Sequence, residues 1–572
     1  MIILGYLILN GGFSLYNILL GGAAGDGIET MAGLLEKMLK QSGCHLFTIR
    51  DFMSRVRGGH NFTQIRFGDQ PLHAHRDTLD GIFTVDEKSY QEHQPRLSYD
   101  GFILCDKALA IDDFRAIKLP FKKIATDLGN PKVINSVATG ALLKLFNIPL
   151  DHAAAIIKSN LRADLVEINL SAINKGYDLL ESHYDLPLIE TSEDLMLSGN
   201  NAIGLGAVAA GLRFYSAYPM SPSTSLLDFF NAHSSTMAIA VEQAEDEIAA
   251  INMAIGASYA GATAMTGTSG GGFSLMVEAL GFSGIAEIPL VAVDVQRPGP
   301  ATGFPTRTEQ SDLKFVISAS QGEFPRMVIA LRDHTDCFYQ TARSLALAKK
   351  YQIPVILLSD QYLADSTTTI PILNASEIVH YDEPEAPVPT PDHPYKRYAL
   401  TENGISPLAI PGKSEALVRV DSDEHDESGQ ITESATVRNQ MVQKRMHKLE
   451  GLKKELIEPE FWGAQQCQSL LVGFGSTSGA IKEAVDILNQ EEKNYGALLF
   501  GDIYPLPTER LRHFCDQVME IINVEQNATG QLASLIREET LISCEHSILK
   551  YDGRQLSVDD ILTGIKNFKG GF

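Results

Sequence analysis

Residues 242–272 read EQAEDEIAAINMAIGASYAGATAMTGTSGGG, a run that changes from a helical to a strand pattern and back. Four acidic residues lie at the start of an Ala- and Gly-rich helical pattern. The apolar run Thr263–Thr266 then predicts a strand, and the Gly/Ser run Thr266–Gly272 predicts a loop that leads into the next helix. Small residues at this density favour close packing of helices on a sheet. The run therefore predicts an α/β layer.

The same alternation extends on both sides, from about Asn201 to Ser366. Three further apolar runs in this region predict strands, namely Met237–Val241, Leu290–Val295 and Pro354–Leu358. Strands that alternate with helices are typical of a doubly wound parallel sheet, whose ligands bind at the carboxyl ends of the strands.

An earlier region opens in a similar way. Tyr16–Leu20 predicts a buried strand, the loop GGAAGDG follows, and Ile28–Gln41 has the apolar spacing of an amphipathic helix. Leu46–Arg50 predicts the next strand. A β-loop-α-β opening favours a second doubly wound domain, which we expect to end near Tyr184.

The last region, Gln468–Phe572, is also α/β, because strand Leu470–Phe474 is followed by a Gly/Ser loop and helix Ala480–Leu488. Between the second and last regions, Tyr381–Glu460 is rich in Pro, Asp and Glu and carries a charged helical pattern over Arg438–Leu456. Its composition indicates a solvated excursion or linker.

The composition excludes several classes of protein. The 572 residues are enough for about three or four domains, and 44% hydrophobic with 21% charged residues is typical of soluble globular chains. A formal net charge of −24 repels phosphodiester backbones, so we expect no general nucleic-acid binding. Anionic small molecules would need local basic or backbone N–H groups.

The six cysteines are widely spaced, and no two form a CxxC pair; they are Cys44, Cys105, Cys337, Cys467, Cys515 and Cys544. Iron–sulfur clusters and structural zinc sites need closely spaced thiolates, so the sequence predicts neither in this chain. Scattered cysteines fit a reducing compartment and predict a cytoplasmic protein.

The first twenty residues are apolar, but they have no basic segment and are interrupted by polar residues and glycine. A signal peptide or membrane anchor is thus disfavoured. We interpret Met1–Leu15 as a leader and predict no membrane association.

The loop GGAAGDG, Gly21–Gly27, lies between a strand and a helix, where backbone N–H groups can hold a phosphate. It lacks the strict GxGxxG spacing, and no acidic residue clearly ends the next strand to bind a ribose, which disfavours a redox dinucleotide site. Its GDG triplet imitates the diphosphate motif of thiamin enzymes, but no Asn-rich segment follows. We therefore predict no metal ligands in this chain.

Several segments taken together resemble one family. They are GGAAGDG, RVRGGHNF, YPMSPST, residues 242–272, QRPGPATGFPTRTEQSDL, YKRY, GISPLAIPG, RNQMVQKRMHKLE and NVEQNATGQLASLIR. In this order they resemble the alpha subunit of 2-oxoacid:ferredoxin oxidoreductases, in the form with the gamma domain fused at its N-terminus. The resemblance covers nearly the whole chain after Leu15.

The resemblance implies three doubly wound α/β domains, joined by the excursion and its helix. Residues 16–184 would form a gamma-type, Rossmann-like domain associated with coenzyme A, and residues 195–375 a thiamin pyrimidine-binding domain. Residues 376–460 would be the acidic excursion and linker helix. Residues 461–572 would resemble a transketolase C-terminal domain.

The resemblance also implies roles for individual residues. The family glutamate falls at Glu247, whose carboxylate would hydrogen-bond the thiamin pyrimidine and so promote loss of the thiazolium C2 proton. Arg297 matches the arginine that holds the substrate carboxylate, with Arg307 as runner-up and Ser221 beside the oxoacid. Further cofactor contacts are implied for Tyr218, Thr268, Ser269, Gly25, Gly27 and Arg57.

Structural roles compete with some of these assignments. Acidic residues at a helix start, such as Glu245 and Asp246, are often caps. Arg297 could be a loop arginine that forms a salt bridge, and the basic RVRGGH segment could be a structural turn.

The implied reaction is oxidative decarboxylation of a 2-oxoacid, 2-oxoglutarate foremost, to acyl-CoA and CO2 with reduction of ferredoxin. Thiamin diphosphate would be shared with a beta subunit that carries Mg2+ and the 4Fe-4S cluster, in a heterodimer or heterotetramer. Two alternatives remain open at this point: a non-redox thiamin-dependent decarboxylase component and a noncatalytic nucleotide-binding module.

Overall fold

The computed structural model describes residues 15–53, 59–184, 186, 193–381, 386, 388–390, 393–413 and 415–569. Arg57 and the leader Met1–Leu15, except Leu15 itself, lie outside these residues. The chain divides into two compact units. The first combines Met1–Leu197 with Ser366–Ile372 and Ser557–Asp559, and the second contains the rest.

The strands of the described residues follow in chain order: β1 Leu15–Gly22, β2 His45–Asp51, β3 Asn61–Gly68, β4 Leu79–Thr84, β5 Leu97–Asp106, β6 Ala116–Leu119, β7 Leu195–Ser198, β8 Phe214–Ala217, β9 Ala240–Gln243, β10 Ala264–Thr268, β11 Leu290–Gln296, β12 Met327–Ala330, β13 Pro354–Asp360, β14 Thr367–Ile370, β15 Glu460–Gly463, β16 Ser469–Phe474, β17 Tyr495–Phe500, β18 Asp502–Tyr504, β19 Glu520–Glu525 and β20 His546–Leu549.

The α-helices follow in the same way: α1 Ile28–Gln41, α2 Glu87–His93, α3 Phe121–Asp127, α4 Ile134–Leu145, α5 Ala153–Asn160, α6 Ala163–Tyr177, α7 Gly199–Ala209, α8 Thr224–Met237, α9 Glu247–Tyr259, α10 Gly270–Ala286, α11 Leu313–Ser318, α12 His334–Tyr351, α13 Gln361–Asp365, α14 Ala435–Leu452, α15 Thr477–Gln490, α16 Glu509–Cys515, α17 Gln531–Thr540 and α18 Val558–Lys569. No helix in the described part of the chain is long and apolar enough to cross a membrane.

The first unit is built on a mixed sheet with the order β6-β5-β4-β1-β3-β2-β14-β7. The predicted opening strand, helix and next strand are all present, and the helix has the predicted bounds. However, β3 lies between β1 and β2 and is antiparallel to both. Only part of this sheet therefore follows the doubly wound pattern, because β3 turns back from β2 and takes the position beside β1.

The second unit contains two sheets. The larger has the order β18-β12-β13-β11-β10-β8-β9, in which β18 is antiparallel and the other pairs are parallel. The smaller has the order β15-β17-β16-β19-β20. Because β18 comes from the C-terminal region, that region completes the edge of the larger sheet. The α/β class is confirmed in both sheets.

The prediction of a strand over Met237–Val241 is only half right. Helix α8 continues to Met237, and Ala238 ends it in a left-handed conformation with φ 52°. The strand β9 begins two residues later, at Ala240. The apolar run is split because its first part belongs to a helix that buries Phe230 and its last part to the sheet.

The expectation that the charged helix is solvated is wrong. Helix α14 buries Lys444 and Lys448, each with 1% of its side chain exposed, against the equally buried Glu287. Lys444 Nζ lies 2.7 Å from both carboxylate oxygens and Lys448 Nζ lies 2.5 Å from one of them. Arg397 donates to the backbone oxygen of Glu287 at 2.6 Å. A face that looks solvated by composition is therefore a buried ionic contact.

Candidate functional site

The candidate residues of the second unit lie at the carboxyl ends of the parallel strands β8, β10 and β11. YPMSPST follows β8, Thr268 ends β10, and Arg297 comes directly after β11. The carboxyl edge of a parallel sheet is where α/β proteins bind their ligands. The structure thus brings together segments that are up to about eighty residues apart in the sequence.

Glu247 is the first residue of α9 and is only 3% exposed. Its Oε1 atom has no hydrogen-bond partner among the described residues. The preceding Asp246 caps the helix, since its side chain accepts from the Ala249 N–H at 2.8 Å, while Glu245 is exposed. A buried carboxylate oxygen without a partner is costly, which indicates a group held ready for a ligand.

The Glu247 carboxylate packs against the backbone of Gly272. A Cβ atom built on Gly272 would lie 2.1 Å from Thr268 Oγ1 and 2.6 Å from Glu247 Oε1. Glycine at position 272 therefore leaves room for the two polar side chains at the start of α10. Thr268 Oγ1 also lies 3.9 Å from Met220 Sδ, which brings the YPMSPST turn to the same place.

Arg297 and Ser221 are in direct contact. Arg297 Nη1 donates to the backbone oxygen of Ser221 at 2.6 Å, and Ser221 itself is exposed. The Arg297 Nε atom is buried and has no hydrogen-bond partner in the described part of the chain. Tyr218, at the start of the same turn, has 39% of its surface exposed. One nitrogen of the Arg297 guanidinium thus binds the Ser221 backbone, and its buried Nε–H remains available to donate to a further acceptor.

Two buried carboxyl groups, Asp294 and its neighbour Asp312, were missed by the sequence analysis, and the second of them interacts with Arg297. Burial, reinforced by the charge of Asp312, raises the pKa of Asp294 well above its ordinary value, and both its oxygens lack partners among the described residues. Burial also raises the pKa of Asp312 to about 6, against the opposing charge of Arg297. The sequence signal that could have revealed Asp294 was an aspartate within the otherwise mostly apolar strand LVAVDVQ.

The two remaining predicted residues of this unit, Ser269 and Arg307, lie in different surroundings. Ser269 precedes α10, is fully buried, and its Oγ has no partner within the described residues. Arg307, by contrast, lies beside Gly553, where a built Cβ would be 3.3 Å from the Arg307 Cβ. Its Nη1 donates to the Thr306 backbone oxygen at 3.3 Å.

In the first unit, Gly21 and Gly22 belong to β1, and the loop itself is Ala23–Gly27. It borders a groove of about 300 Å3 that is lined by Ala23, Ala24, Gly25, Gly27, Ile28, Glu29, Arg50, Asp51, Phe52, Asn61, Phe62 and Thr63. Gly25 and Gly27 have φ values of 100° and 77°, which favour glycine. Asp26 closes the loop by accepting from the Ala23 N–H at 2.8 Å. Asp51 ends β2 on this groove, so the expectation that no acidic residue stands there is wrong.

Comparisons with known families match all three predicted regions. Residues 205–444 match pyruvate flavodoxin/ferredoxin oxidoreductase, thiamine diphosphate-binding. Residues 17–179 match pyruvate ferredoxin/flavodoxin oxidoreductase, and residues 468–561 match core domain II of pyruvate:ferredoxin oxidoreductase. A 2-oxoacid:ferredoxin oxidoreductase subunit alpha from Sulfolobus sp is 33% identical, with 95% of each chain covered.

The chain belongs to the 2-oxoacid:ferredoxin oxidoreductase alpha subunits. The 2-oxoglutarate oxidoreductase subunit KorA of Mycobacterium tuberculosis is 31% identical over 75% of this chain and 67% of its own. The solved 2-oxoglutarate:ferredoxin oxidoreductase from Magnetococcus marinus, with 2-oxoglutarate, coenzyme A and succinyl-CoA bound, is 31% identical. It superposes with a TM-score of 0.91 over 97% of this chain and 99% of that one. The predicted family and the α/β fold class are confirmed, and the chain is one subunit of a multi-subunit oxidoreductase.

The residues at the carboxyl edge of the larger sheet fit a thiamin pyrimidine. The ring needs a buried carboxylate on one of its nitrogens, and Glu247 Oε1 is buried without a protein partner in the described residues. Glycine at position 272 lets this carboxylate lie against the start of α10, where a Cβ would be 2.6 Å from Oε1. The fit therefore depends on a buried carboxylate oxygen that this chain itself provides.

Proposed function

We propose that this chain is the catalytic alpha subunit, with a fused gamma domain, of an enzyme that oxidatively decarboxylates 2-oxoacids. The substrate we propose foremost is 2-oxoglutarate, which would react with coenzyme A and two oxidised ferredoxins. The products are succinyl-CoA, CO2, two reduced ferredoxins and one proton. One observation carries the proposal. In a chain of this family, the Oε1 atom of Glu247 is buried against Gly272 and has no hydrogen-bond partner among the described residues.

Thiamin diphosphate supplies, when bound, a carbon nucleophile for the keto group and a sink for the electrons released by decarboxylation. Glu247 would form a hydrogen bond to the pyrimidine ring, and its carboxyl group would hold the proton of that hydrogen bond. Burial of Glu247 strengthens such a hydrogen bond because water does not compete for the carboxylate. Thr268, Ser269 and Tyr218 would complete the cofactor contacts from the ends of β10 and β8.

Arg297 would bind the carboxylate common to all 2-oxoacids. Its contact with the Ser221 backbone orients the guanidinium, and its buried Nε remains available as a donor. Ser221, exposed on the same turn, would reach the carboxylate or keto oxygen. Arg307 stays the second candidate for the carboxylate.

Coenzyme A would bind at the groove of the gamma-type domain, where Gly25 and Gly27 let the backbone approach its phosphates. Arg57 would add a positive charge. The partner would be a beta subunit that carries the diphosphate–Mg2+ half of the cofactor site and the 4Fe-4S cluster, in a heterodimer or heterotetramer of the cytoplasm. Residues 16–184, 195–375, 376–460 and 461–572 would be the functional domains.

The decisive experiment is Glu247→Gln in the complex assembled with its partner subunit. The variant is expected to fold and assemble but to lose hydrogen–deuterium exchange at C2 of bound thiamin, measured by NMR after acid quench. Asp246→Asn is the matched control, because Asp246 caps the same helix and faces no cofactor in this proposal. Wild-type exchange in Glu247→Gln would refute the role of this residue, and decarboxylation without reduction of ferredoxin by the wild type would favour a non-redox enzyme.

A further inference from the structure

The motif NVEQNATGQLASLIR, residues 523–537, buries several amide side chains at the end of β19 and the start of α17. Gln526, Asn527 and Gln531 are 2%, 0% and 8% exposed. Buried amides need hydrogen-bond partners, so the partners of these three side chains indicate what the motif does. All three belong to the second unit, as do the residues of the proposed thiamin and 2-oxoacid site.

The three amides bind one segment, residues 308–314, which leads from β11 into α11. Gln526 Nε2 donates to the Thr308 backbone oxygen at 3.0 Å, and Asn527 Nδ2 donates to the Gln310 backbone oxygen at 3.1 Å. The Gln310 N–H donates in turn to the Gln526 backbone oxygen at 2.7 Å. The motif therefore holds the backbone of segment 308–314 by direct hydrogen bonds.

Gln531 takes the place of a helix cap on this segment. Asp312 precedes α11 at the position where an aspartate usually accepts from an N–H of the first turn, but within the described residues its side chain makes no such hydrogen bond. Instead, Gln531 Oε1 accepts from the Lys314 N–H at 2.8 Å, and Gln531 Nε2 donates to the Ser311 backbone oxygen at 2.7 Å. An amide from α17 thus caps α11, and the Asp312 carboxylate is left to lie elsewhere.

Asp312 connects the segment with Arg297. A Cβ built on Gly270 would lie 2.3 Å from Asp312 Oδ2, so the carboxylate packs at the start of α10. Burial lowers the pKa of Arg297, and the charge of Asp312 opposes this shift, which shows that the two charges interact. The Asp312 N–H also donates at 3.0 Å to Oε1 of Gln296, the residue directly before Arg297. A displacement of the segment would therefore change the surroundings of the Arg297 guanidinium.

The competing explanation is that the motif only stabilises its own part of the fold. Glu525 does serve that purpose, because it accepts from the N–H groups of Leu532 and Ala533 at 3.0 Å each and so fixes the start of α17. Gln531 differs, since both hydrogen bonds of its side chain reach segment 308–314. The contacts of Gln531 favour a role in placing that segment.

We propose that Gln531, together with Gln526 and Asn527, is a positioning residue for binding of the 2-oxoacid carboxylate. By fixing segment 308–314, the three amides set the position of Arg297 at the end of β11. The inference rests on the proposed function, in which Arg297 binds that carboxylate. The amides themselves touch neither the substrate nor the reacting atoms.

The test is steady-state kinetics of the assembled enzyme carrying Gln531→Met, which keeps the length of the side chain and removes both hydrogen bonds. Because the segment loses two contacts that place it, we expect the KM for 2-oxoglutarate to rise about tenfold. The KM for coenzyme A stays unchanged. A loss of folded enzyme alone would lower kcat and leave both KM values as they are.

Asn527→Ser is the milder second variant. A serine oxygen can still accept from the N–H groups of Thr529 and Gly530, as Asn527 Oδ1 does, but it lacks the amide that donates to Gln310. The same KM should rise by a smaller factor. Gln517→Met is the matched control, because Gln517 is exposed and its amide donates locally to the His513 backbone oxygen at 2.8 Å. Both KM values should stay at wild type in this control.

Adding Gln531→Met to Arg297→Ala tests the route by which the amide acts. If Gln531 acts through Arg297, the double variant has the same KM for 2-oxoglutarate as Arg297→Ala. Two increases in KM that multiply would overturn the inference, as would a wild-type KM in Gln531→Met. Wild-type kinetics with 2-oxoglutarate in Arg297→Ala would refute the proposed role of Arg297 instead.

Discussion

Replacing Glu287 by Gln tests the buried ionic contact that holds α14 in place. The substitution keeps the shape of the side chain and removes the carboxylate that pairs with Lys444 and Lys448. Burial alone would raise the pKa of Glu287, but the charges of Lys448, Lys444 and Arg397 outweigh it and hold that pKa well below its ordinary value. The carboxylate is therefore charged in the native protein, and its loss leaves two buried lysines unbalanced.

The magnitude follows from burial. Breaking a buried ion pair by removing one partner costs about 3–5 kcal/mol. At about 1.4 kcal/mol per factor of ten, this cost raises the opening equilibrium of α14 roughly 140- to 3,700-fold. Burial lowers the pKa of Lys448 to about 7. Since this lysine can lose its proton, the penalty is smallest at pH 8 and grows as the pH falls below 7.

Hydrogen exchange measured by mass spectrometry on peptides from Ala435–Leu452 reports this opening directly. The control is Glu427→Gln, which weakens the half-exposed pair of Glu427 with Lys396 at 2.8 Å. Exposed pairs contribute only about 0–1 kcal/mol, so exchange in α14 should stay near wild type in the control. Equal protection of α14 in Glu287→Gln and wild type at pH 6 would refute the reasoning.

Three further changes have defined outcomes. Gly272→Ala is expected to abolish binding of thiamin diphosphate by the assembled enzyme, since its Cβ would lie 2.1 Å from Thr268 Oγ1, whereas Gly271→Ala, with its nearest atom 3.7 Å away, should bind normally in calorimetry. Arg297→Ala should lower turnover of every 2-oxoacid to a similar degree, by some tens to thousands of fold for a loss of about 2–5 kcal/mol, and a loss confined to one oxoacid in rate assays would contradict it. Because the pKa of Asp312 rises from 3.8 to about 6, the native state holds a proton that the unfolded chain releases, and this carboxyl costs stability as the pH rises through 6. Asp312→Asn should therefore unfold at a higher temperature than wild type at pH 8, with the difference shrinking towards pH 5; a constant difference would show that the carboxyl does not titrate in this range.

Much of the fold was predictable because local patterns are strong here. The helix Ile28–Gln41 has the predicted bounds, and the strands Leu290–Gln296 and Pro354–Asp360 extend the predicted runs by one and two residues. Each of these elements is defined by apolar spacing within its own residues. The family was predictable for a related reason, since its motifs are short and stand in a specific order.

Part of the candidate site was equally accessible. Glu247, Thr268 and Arg297 could be named because they stand in segments that resemble the family, and each of them lies at a strand end or helix start, where parallel sheets bind ligands. Their roles remain predictions. The partners of these residues were not accessible, because Gly272 and Asp312 are ordinary residues in sequence and gain meaning only from the atoms near them.

The sequence by itself determined the α/β class, the family and those strands and helices that strong apolar patterns define. Only the tertiary structure decided that β3 separates β1 from β2, that β18 joins the edge of a sheet formed by earlier residues, and that α14 buries its lysines on Glu287. The physical reason is the range of the interactions. Helix and strand patterns depend on neighbours a few positions away, whereas Lys444 and Glu287 are 157 positions apart and their charges are compensated only when folding brings them into contact.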